Sequence, residues 1–76
     1  MSDYKVISCG VTGDNRPNVV LEDVDGNRFP KWYHSTFYRV DDALDFLKDL
    51  YRDGVSKTDI DDGLWLSLQQ LQEQGE

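Results

Sequence analysis

The sequence predicts an α+β fold, a three-stranded antiparallel β-meander followed by two helices packed on the sheet. Three β-prone segments come first, and the short or turn-rich links between them favour antiparallel pairing of neighbours. Two segments with the apolar spacing of amphipathic helices follow. At 76 residues the chain has room for one domain, so we expect residues 1–76 to fold as a single unit.

The strands are predicted at about residues 4–9, 19–24 and 28–34. Alternating side chains mark the first of them, in which Tyr4, Val6 and Ser8 would share one side. The Asp-Gly pair at residues 25–26 is a strong hairpin signal between the second and third strands. Pro30 cannot donate to a ladder, so the third strand should lie at an edge or be interrupted there.

The first helix is predicted over residues 41–53, with Asp41 as N-cap and Gly54 as the stop. Apolar residues recur along it at the i, i+3, i+4, i+7 spacing, which predicts one core-facing stripe. The members of this stripe are Val40, Ala43, Leu44, Leu47, Leu50 and Tyr51.

The second helix is predicted over residues 57–72, after a capping box that begins at Ser56. Trp65 and Leu66 lie off its apolar stripe, so at least one of them should be exposed if the helix is regular. An exposed tryptophan beside acidic residues is a good interface anchor, and it would serve a dimer contact equally well. The Gln-rich tail at residues 73–76 should fray.

The net charge of −7 is distributed unevenly along the chain. Residues 1–40 contain five acidic and five basic residues, whereas residues 41–76 contain ten acidic and three basic ones. An acidic surface repels nucleic acid and anionic membranes, which argues against direct nucleic-acid binding and against membrane binding, and favours a basic partner. The alternative is that the charge serves solubility alone.

Aspartates repeat every four residues along the first helix and should form an acidic face opposite the apolar stripe. Like charges at this spacing destabilise a helix by about 0.2–0.5 kcal/mol per pair, which suggests a role in binding. The alternative is a merely solvated surface. The predicted partner-binding residues are Asp41, Asp42, Asp45, Asp49, Asp53 and Trp65.

Residues 28–39 contain five aromatic side chains, three basic ones and no acid. Aromatic and basic side chains together can stack on bases and contact phosphates, so this segment is an alternative site for single-stranded nucleic acid. The competing interpretation is that its aromatic side chains build the core. The alternative nucleic-acid-binding residues are Arg28, Lys31, Trp32, Tyr33 and Arg39.

Little in the sequence indicates catalysis. Cys9, the single cysteine, has no activating neighbours and is expected to be a small buried apolar residue. No nucleophile–base pair or metal-ligand spacing is apparent, so we expect a non-enzymatic protein without metal or cofactor. No apolar run is long enough to span a membrane, and the chain is predicted to be cytoplasmic.

In its small size, acidity, single cysteine and order of strands before helices, the chain resembles small inhibitors that bacteriophages direct against host machinery. Examples of that class are anti-CRISPR proteins and RNA-polymerase inhibitors. The resemblance implies a DNA mimic that occupies a basic, nucleic-acid-binding surface of a host protein or nucleoprotein complex. The alternatives are the nucleic-acid-binding module above and a self-associating structural or assembly subunit, for example a homodimer.

Overall fold

A computed structural model describes residues 3–74 and has an α+β architecture. Its antiparallel sheet contains four strands in the order β1-β2-β3-β4, one more than the sequence predicts. The elements, in chain order, are β1 (Lys5–Val11), β2 (Pro17–Glu22), β3 (Arg28–Tyr33), α1 (Val40–Asp53), α2 (Lys57–Asp61), β4 (Trp65–Leu66) and α3 (Leu68–Gln74).

The β2–β3 connection is the predicted turn around residues 25–26. Gly26 has a φ of +87°, a conformation that glycine adopts without steric cost. The carboxylate of Asp23 accepts hydrogen bonds from the backbone N–H groups of Asp25 and Asn27, each at 2.9 Å. The turn is thereby fixed by one side chain as well as by its backbone.

A β-bulge interrupts β1. Val6 pairs with Leu21 and Ser8 pairs with Val20, so two adjacent residues of β2 face three residues of β1 and Ile7 has no partner of its own. A bulge of this kind inserts one residue into the ladder and shifts the side-chain alternation beyond it.

Beyond the bulge, Cys9 and Val11 take the side of the sheet that Val6 occupies, which is the side covered by α1. Ser8 turns to the opposite side, called here the outer side. The prediction that Ser8 follows Val6 on one side is therefore wrong, because it assumes an uninterrupted period of two.

The first helix begins at Val40, one residue earlier than predicted. Arg39 occupies the N-cap position with extended backbone and no side-chain cap, so the prediction of Asp41 as N-cap is wrong. Gly54 ends the helix as predicted: its φ is +80° and its N–H donates to the carbonyl oxygen of Leu50 at 2.6 Å.

Only part of the predicted apolar stripe enters the core. The helix packs on β1 and β2, where Ala43 and Leu47 are buried. By contrast, the side chains of Val40, Leu44 and Tyr51 are 47%, 45% and 56% exposed. These three side chains lie on one flank of the helix. Leu44 and Tyr51 follow Val40 by four and eleven positions, and at 100° per residue all three point in nearly the same direction.

The predicted second helix is instead two short helices separated by a strand. Gly63, with a φ of +81°, lies just beyond the end of α2, and its N–H donates to the carbonyl oxygen of Ile60 at 3.1 Å. The chain then extends and β4 pairs antiparallel with β3, placing Trp65 opposite Tyr33. In the described residues, α2 packs against β4 rather than against α1.

Strand β4 completes the core. The indole of Trp65 lies 5.1 Å from the ring of Tyr33 and 6.1 Å from the ring of Phe46, measured between centroids. Such contacts join β3, β4 and α1 through aromatic surface. The buried apolar residues of the core are Val6, Val19, Leu21, Ala43, Leu47, Val55, Trp65 and Leu66.

Pro30 lies where β3 is locally an edge. Its residue pair on β2 is Val20, but β4 is only two residues long and reaches no further than Trp32 and Tyr33. Because β4 does not extend to Pro30, no strand on that side requires a backbone N–H from this residue. This accounts for a proline within the sheet. Of the predicted tail, residues 75–76 lie outside the described residues, whereas Gln74 ends α3.

Candidate partner-binding face

The acidic face of α1 is exposed in all five of its members, which are Asp41, Asp42, Asp45, Asp49 and Asp53. Residues four positions apart advance about 40° around a helix, so the aspartates wind gradually around α1. Asp41 and Asp45 consequently border the side that faces β1, whereas Asp49 and Asp53 lie farther around. The arrangement offers carboxylates over a broad part of the helix surface rather than along a single line.

Two basic residues of α1 neutralise part of this face. Lys48 Nζ lies 4.0 Å from Asp45, and Arg52 lies 3.7 Å from Asp49 and 3.1 Å from Asp53. The hydrogen bonds from Arg52 lower the pKa of Asp53 and raise the pKa of Arg52 itself. All these side chains are exposed, and ion pairs between exposed side chains contribute little to stability.

The helix dipole explains the positions of the other two aspartates, Asp41 and Asp42. Asp41 and Asp42 lie in the first turn of α1, where the helix dipole favours negative charge. Within residues 3–74, neither carboxylate takes part in an ion pair. They are thus charged groups at a favourable helix position that remain open to a basic group from outside.

Trp65 does not belong to this face. Its side chain is only 2% exposed, because β4 directs it into the core beside Tyr33 and Phe46. Leu66, its neighbour, is 4% exposed. The expectation that at least one of them is exposed is wrong, because it assumed a regular helix through a segment that is partly strand.

A cleft that the sequence did not indicate lies between α1 and β1. It has a volume of about 540 Å³ and is open to solvent. Leu44, Leu47 and Tyr51 of α1 and Cys9 of β1 line it, with Asp41, Asp45 and Lys48 at its rim. We call it the α1–β1 cleft.

Cys9 is exposed in this cleft, and the expectation that it is buried is wrong. The bulge turns Cys9 toward α1, but the flank of the helix above it leaves the thiol uncovered. A projection of α1 at 100° per residue would have shown the flank formed by Val40, Leu44 and Tyr51. The sequence of β1 contains no comparable pattern that indicates the bulge.

The residues of the alternative nucleic-acid-binding site are divided between two sides of the sheet. Alternation along β3 places Arg28 and Trp32 on the outer side and Lys31 and Tyr33 on the α1 side. Arg28 Nε lies 3.4 Å from a carboxylate oxygen of Glu22. Arg39 stands apart from them, immediately before α1.

Tyr33 takes part in the packing and hydrogen bonding of the fold. Its ring lies 4.9 Å from that of Phe46, and its carbonyl oxygen accepts a hydrogen bond of 2.7 Å from Arg16 Nη1. The five residues therefore do not form one continuous basic and aromatic surface. The competing interpretation of the sequence holds in part: Tyr33 packs against the core, whereas the side chains of Phe29 and Tyr38 are 38% and 94% exposed.

In residues 3–74, no three His, Cys, Asp or Glu side chains are grouped so that they could hold a metal ion. None of the helices that are described there has the length and apolar character needed to cross a membrane. Comparisons with protein families, with curated proteins and with solved structures find no match to this chain.

Proposed function

We propose that this chain is a non-enzymatic protein-binding module that presents the acidic face of α1 to a basic surface on another protein. The observation that carries the proposal is the exposure of all five aspartates of α1. Carboxylates held on one rigid element attract a basic surface and orient it during encounter. The proposed activity is binding, with no chemical step.

The arrangement of aspartates on the acidic face supports a role in binding as well as in solubility. The helix dipole accounts for Asp41 and Asp42 but not for the aspartates farther along the helix. Asp45, Asp49 and Asp53 are spaced so that they repel one another, at about 0.2–0.5 kcal/mol per pair. Lys48 and Arg52 offset this only in part, since their ion pairs are exposed.

The dimensions suit competition with nucleic acid. From Asp41 to Asp53 the face rises about 18 Å along the helix axis, at roughly 1.5 Å per residue. A basic surface that normally binds phosphates would find a comparable run of negative charge there. We propose that the partner's surface is of this kind, so that binding of this chain excludes nucleic acid and inhibits the partner.

The test compares the wild-type chain with two variants of equal charge. Asp45→Lys with Asp49→Lys changes the acidic face, while Asp25→Lys with Glu73→Lys changes exposed acids elsewhere. Both double variants raise the net charge by four units from −7. We expect wild type and the control to retain one nucleic-acid-handling complex from lysate of the source organism, and the acidic-face variant to lose it.

The retained complex should also release this chain when single- or double-stranded oligonucleotide is added, because both would occupy the same surface. Circular dichroism of the three proteins checks that each is folded. Equal retention by both double variants would exclude the acidic face as the binding site. Loss of binding in the control as well would mean that net charge alone drives the association.

A further inference from the structure

We infer that the α1–β1 cleft binds an extended segment of the partner, one that carries apolar residues flanked by basic residues on the side facing α1. The segment would add to the free edge of β1 as a further strand and place its apolar side chains beneath the flank of α1. This inference rests on the proposed function, because it names the part of the partner that the acidic helix engages.

The first observation is a free strand edge. β1 pairs with β2 on one side. Within residues 3–74 it also has a bridge between Tyr4 and Val55 and a hydrogen bond of 3.5 Å from Tyr51 Oη to the carbonyl oxygen of Ile7, and both contacts lie outside residues 8–11. Lys5 and the bulge at Ile7 oppose strand addition along the first half of β1. Residues 8–11 follow the bulge as a regular ladder, so this is the stretch where an added strand can pair.

The second observation is apolar surface directly above that edge. Leu44 and Tyr51 are 45% and 56% exposed on the α1 flank, and Cys9 faces them from β1. Alternate side chains of an added strand would point toward this flank. Covering it removes apolar surface from water, which would supply affinity that the exposed charges do not.

The third observation is the charge at the rim, which decides between a foreign segment and a second copy of this chain. Asp41 and Asp45 border the cleft, and only Lys48 opposes them there. A second copy would bring an identical acidic rim and another seven negative charges. Because residues two positions apart in a strand share one side, a segment with lysine or arginine two positions before and after an apolar residue would instead meet opposite charge while that apolar residue enters the cleft.

The test uses Cys9, the only cysteine of the chain, as a reporter inside the cleft. The rate of its alkylation by iodoacetamide is measured by mass spectrometry with increasing amounts of a capped Lys-Thr-Val-Thr-Lys peptide, called the lysine–valine peptide, in which the valine and both lysines share one side of the strand. We expect saturable protection, with alkylation slowed at least fivefold. A glutamate–valine peptide, with glutamate in place of both lysines, should not protect. The lysine–valine peptide with proline in place of its valine should not protect either, because proline lacks a backbone N–H.

A matched pair of variants locates the contact. Leu44→Gln removes apolar surface from the cleft, while Leu68→Gln makes the same change on α3, where the side chain is 51% exposed. We expect Leu44→Gln to raise the peptide concentration for half-protection at least tenfold and Leu68→Gln to leave it unchanged. Both leucines are partly exposed, so both variants should remain folded, as circular dichroism will verify.

Three results would overturn the inference: no protection by the lysine–valine peptide, equal protection by the glutamate–valine peptide, or no effect of Leu44→Gln. Protection of Cys9 by the chain alone at rising concentration, with dimers in sedimentation, would assign the cleft to self-association instead. In the pull-down, a partner lost from Asp45→Lys with Asp49→Lys but kept by Leu44→Gln would leave the proposed function standing without this docking site. A partner kept by both variants would remove the proposed function.

Discussion

The carboxylate of Asp23 organises the β2–β3 turn by accepting three hydrogen bonds. Two come from the backbone N–H groups of Asp25 and Asn27, and the third comes from the side-chain amide of Asn27 at 3.2 Å. Partial desolvation raises the pKa of Asp23, but the hydrogen bonds from Asn27 and the turn backbone outweigh it and lower the pKa overall. The folded state therefore favours the ionised carboxylate.

This lowered pKa predicts how stability depends on pH. The stabilisation from Asp23 is complete above the unfolded-state pKa of about 3.9 and is lost as the pH falls through the lower folded-state value. We expect Asp23→Asn to melt below wild type at pH 7 and the gap in Tm to shrink steadily from pH 5 to pH 2. Thermal denaturation followed by circular dichroism across this range makes the measurement.

Asp25→Asn is the control, because within residues 3–74 the Asp25 side chain accepts none of the turn's hydrogen bonds. Its melting curve should follow that of wild type at each pH. A gap in Tm between Asp23→Asn and wild type that is as large at pH 2 as at pH 7 would show that the ionised carboxylate is not what stabilises the turn.

On the scale of the element, the bulge in β1 predicts which single deletion the sheet tolerates. Removing Ile7 joins Val6 to Ser8, so Cys9 and Val11 stay on the α1 side in a regular ladder. Removing Gly10 instead turns Val11 to the outer side and away from the core against which it packs. Urea denaturation should place the free energy of unfolding of the Gly10 deletion about 1–2 kcal/mol below that of the Ile7 deletion.

The two deletions shorten the same strand by one residue, so each serves as the control for the other. Cysteine alkylation offers an independent readout, since Cys9 should stay exposed on the α1 side in both proteins. If both deletions were equally stable, the shift of side-chain alternation at Ile7 could not be what places Val11 in the core.

Elements whose signals are local could be predicted from the sequence, and elements that depend on distant pairing could not. The spacing of α1 and its stop at Gly54 give its bounds to within one residue, and the exposure of its aspartates follows from the same spacing. Strand β4 exists because residues 65–66 pair with β3, more than thirty positions earlier in the chain. The spacing of apolar residues over residues 57–72, with a period of 3.6, is a local pattern and carries no information about pairing with a distant strand.

Some of the missed features did leave signals. The Asp-Gly pair at residues 62–63 is turn chemistry, and the placement of Trp65 and Leu66 off the helical stripe indicates a change of structure there. The α1–β1 cleft is different, because its position depends on a bulge that results from how two strands pair. The acidic half of the candidate site is therefore predictable from the sequence, and the apolar half is not.

The whole molecule is small enough that one core side chain decides whether it folds. At about 0.05–0.15 kcal/mol per residue, a chain of 76 residues has a total stability of about 4–11 kcal/mol. Truncating a buried tryptophan costs about 3–5 kcal/mol. We expect Trp65→Ala to be largely unfolded or strongly destabilised, because this ring joins β4 to β3 and α1.

Circular dichroism with urea denaturation measures the effect, and Trp65→Phe is the matched control, since it keeps an aromatic ring in the core. The control should remain folded with a smaller loss of stability. A Trp65→Ala variant with unaltered stability would mean that β4 and its aromatic contacts add little to the fold.

The bulge at Ile7 also bears on whether the edge of β1 can act as a template for fibrils. Cross-β assembly requires a continuous, flat segment of about six or seven residues that can stack in register on copies of itself. β1 has seven residues, but the bulge divides them into a short piece that begins with the charged Lys5 and a four-residue piece at residues 8–11. Neither piece reaches the length that such stacking needs, so the edge can receive a short foreign strand without acting as a template for its own polymerisation.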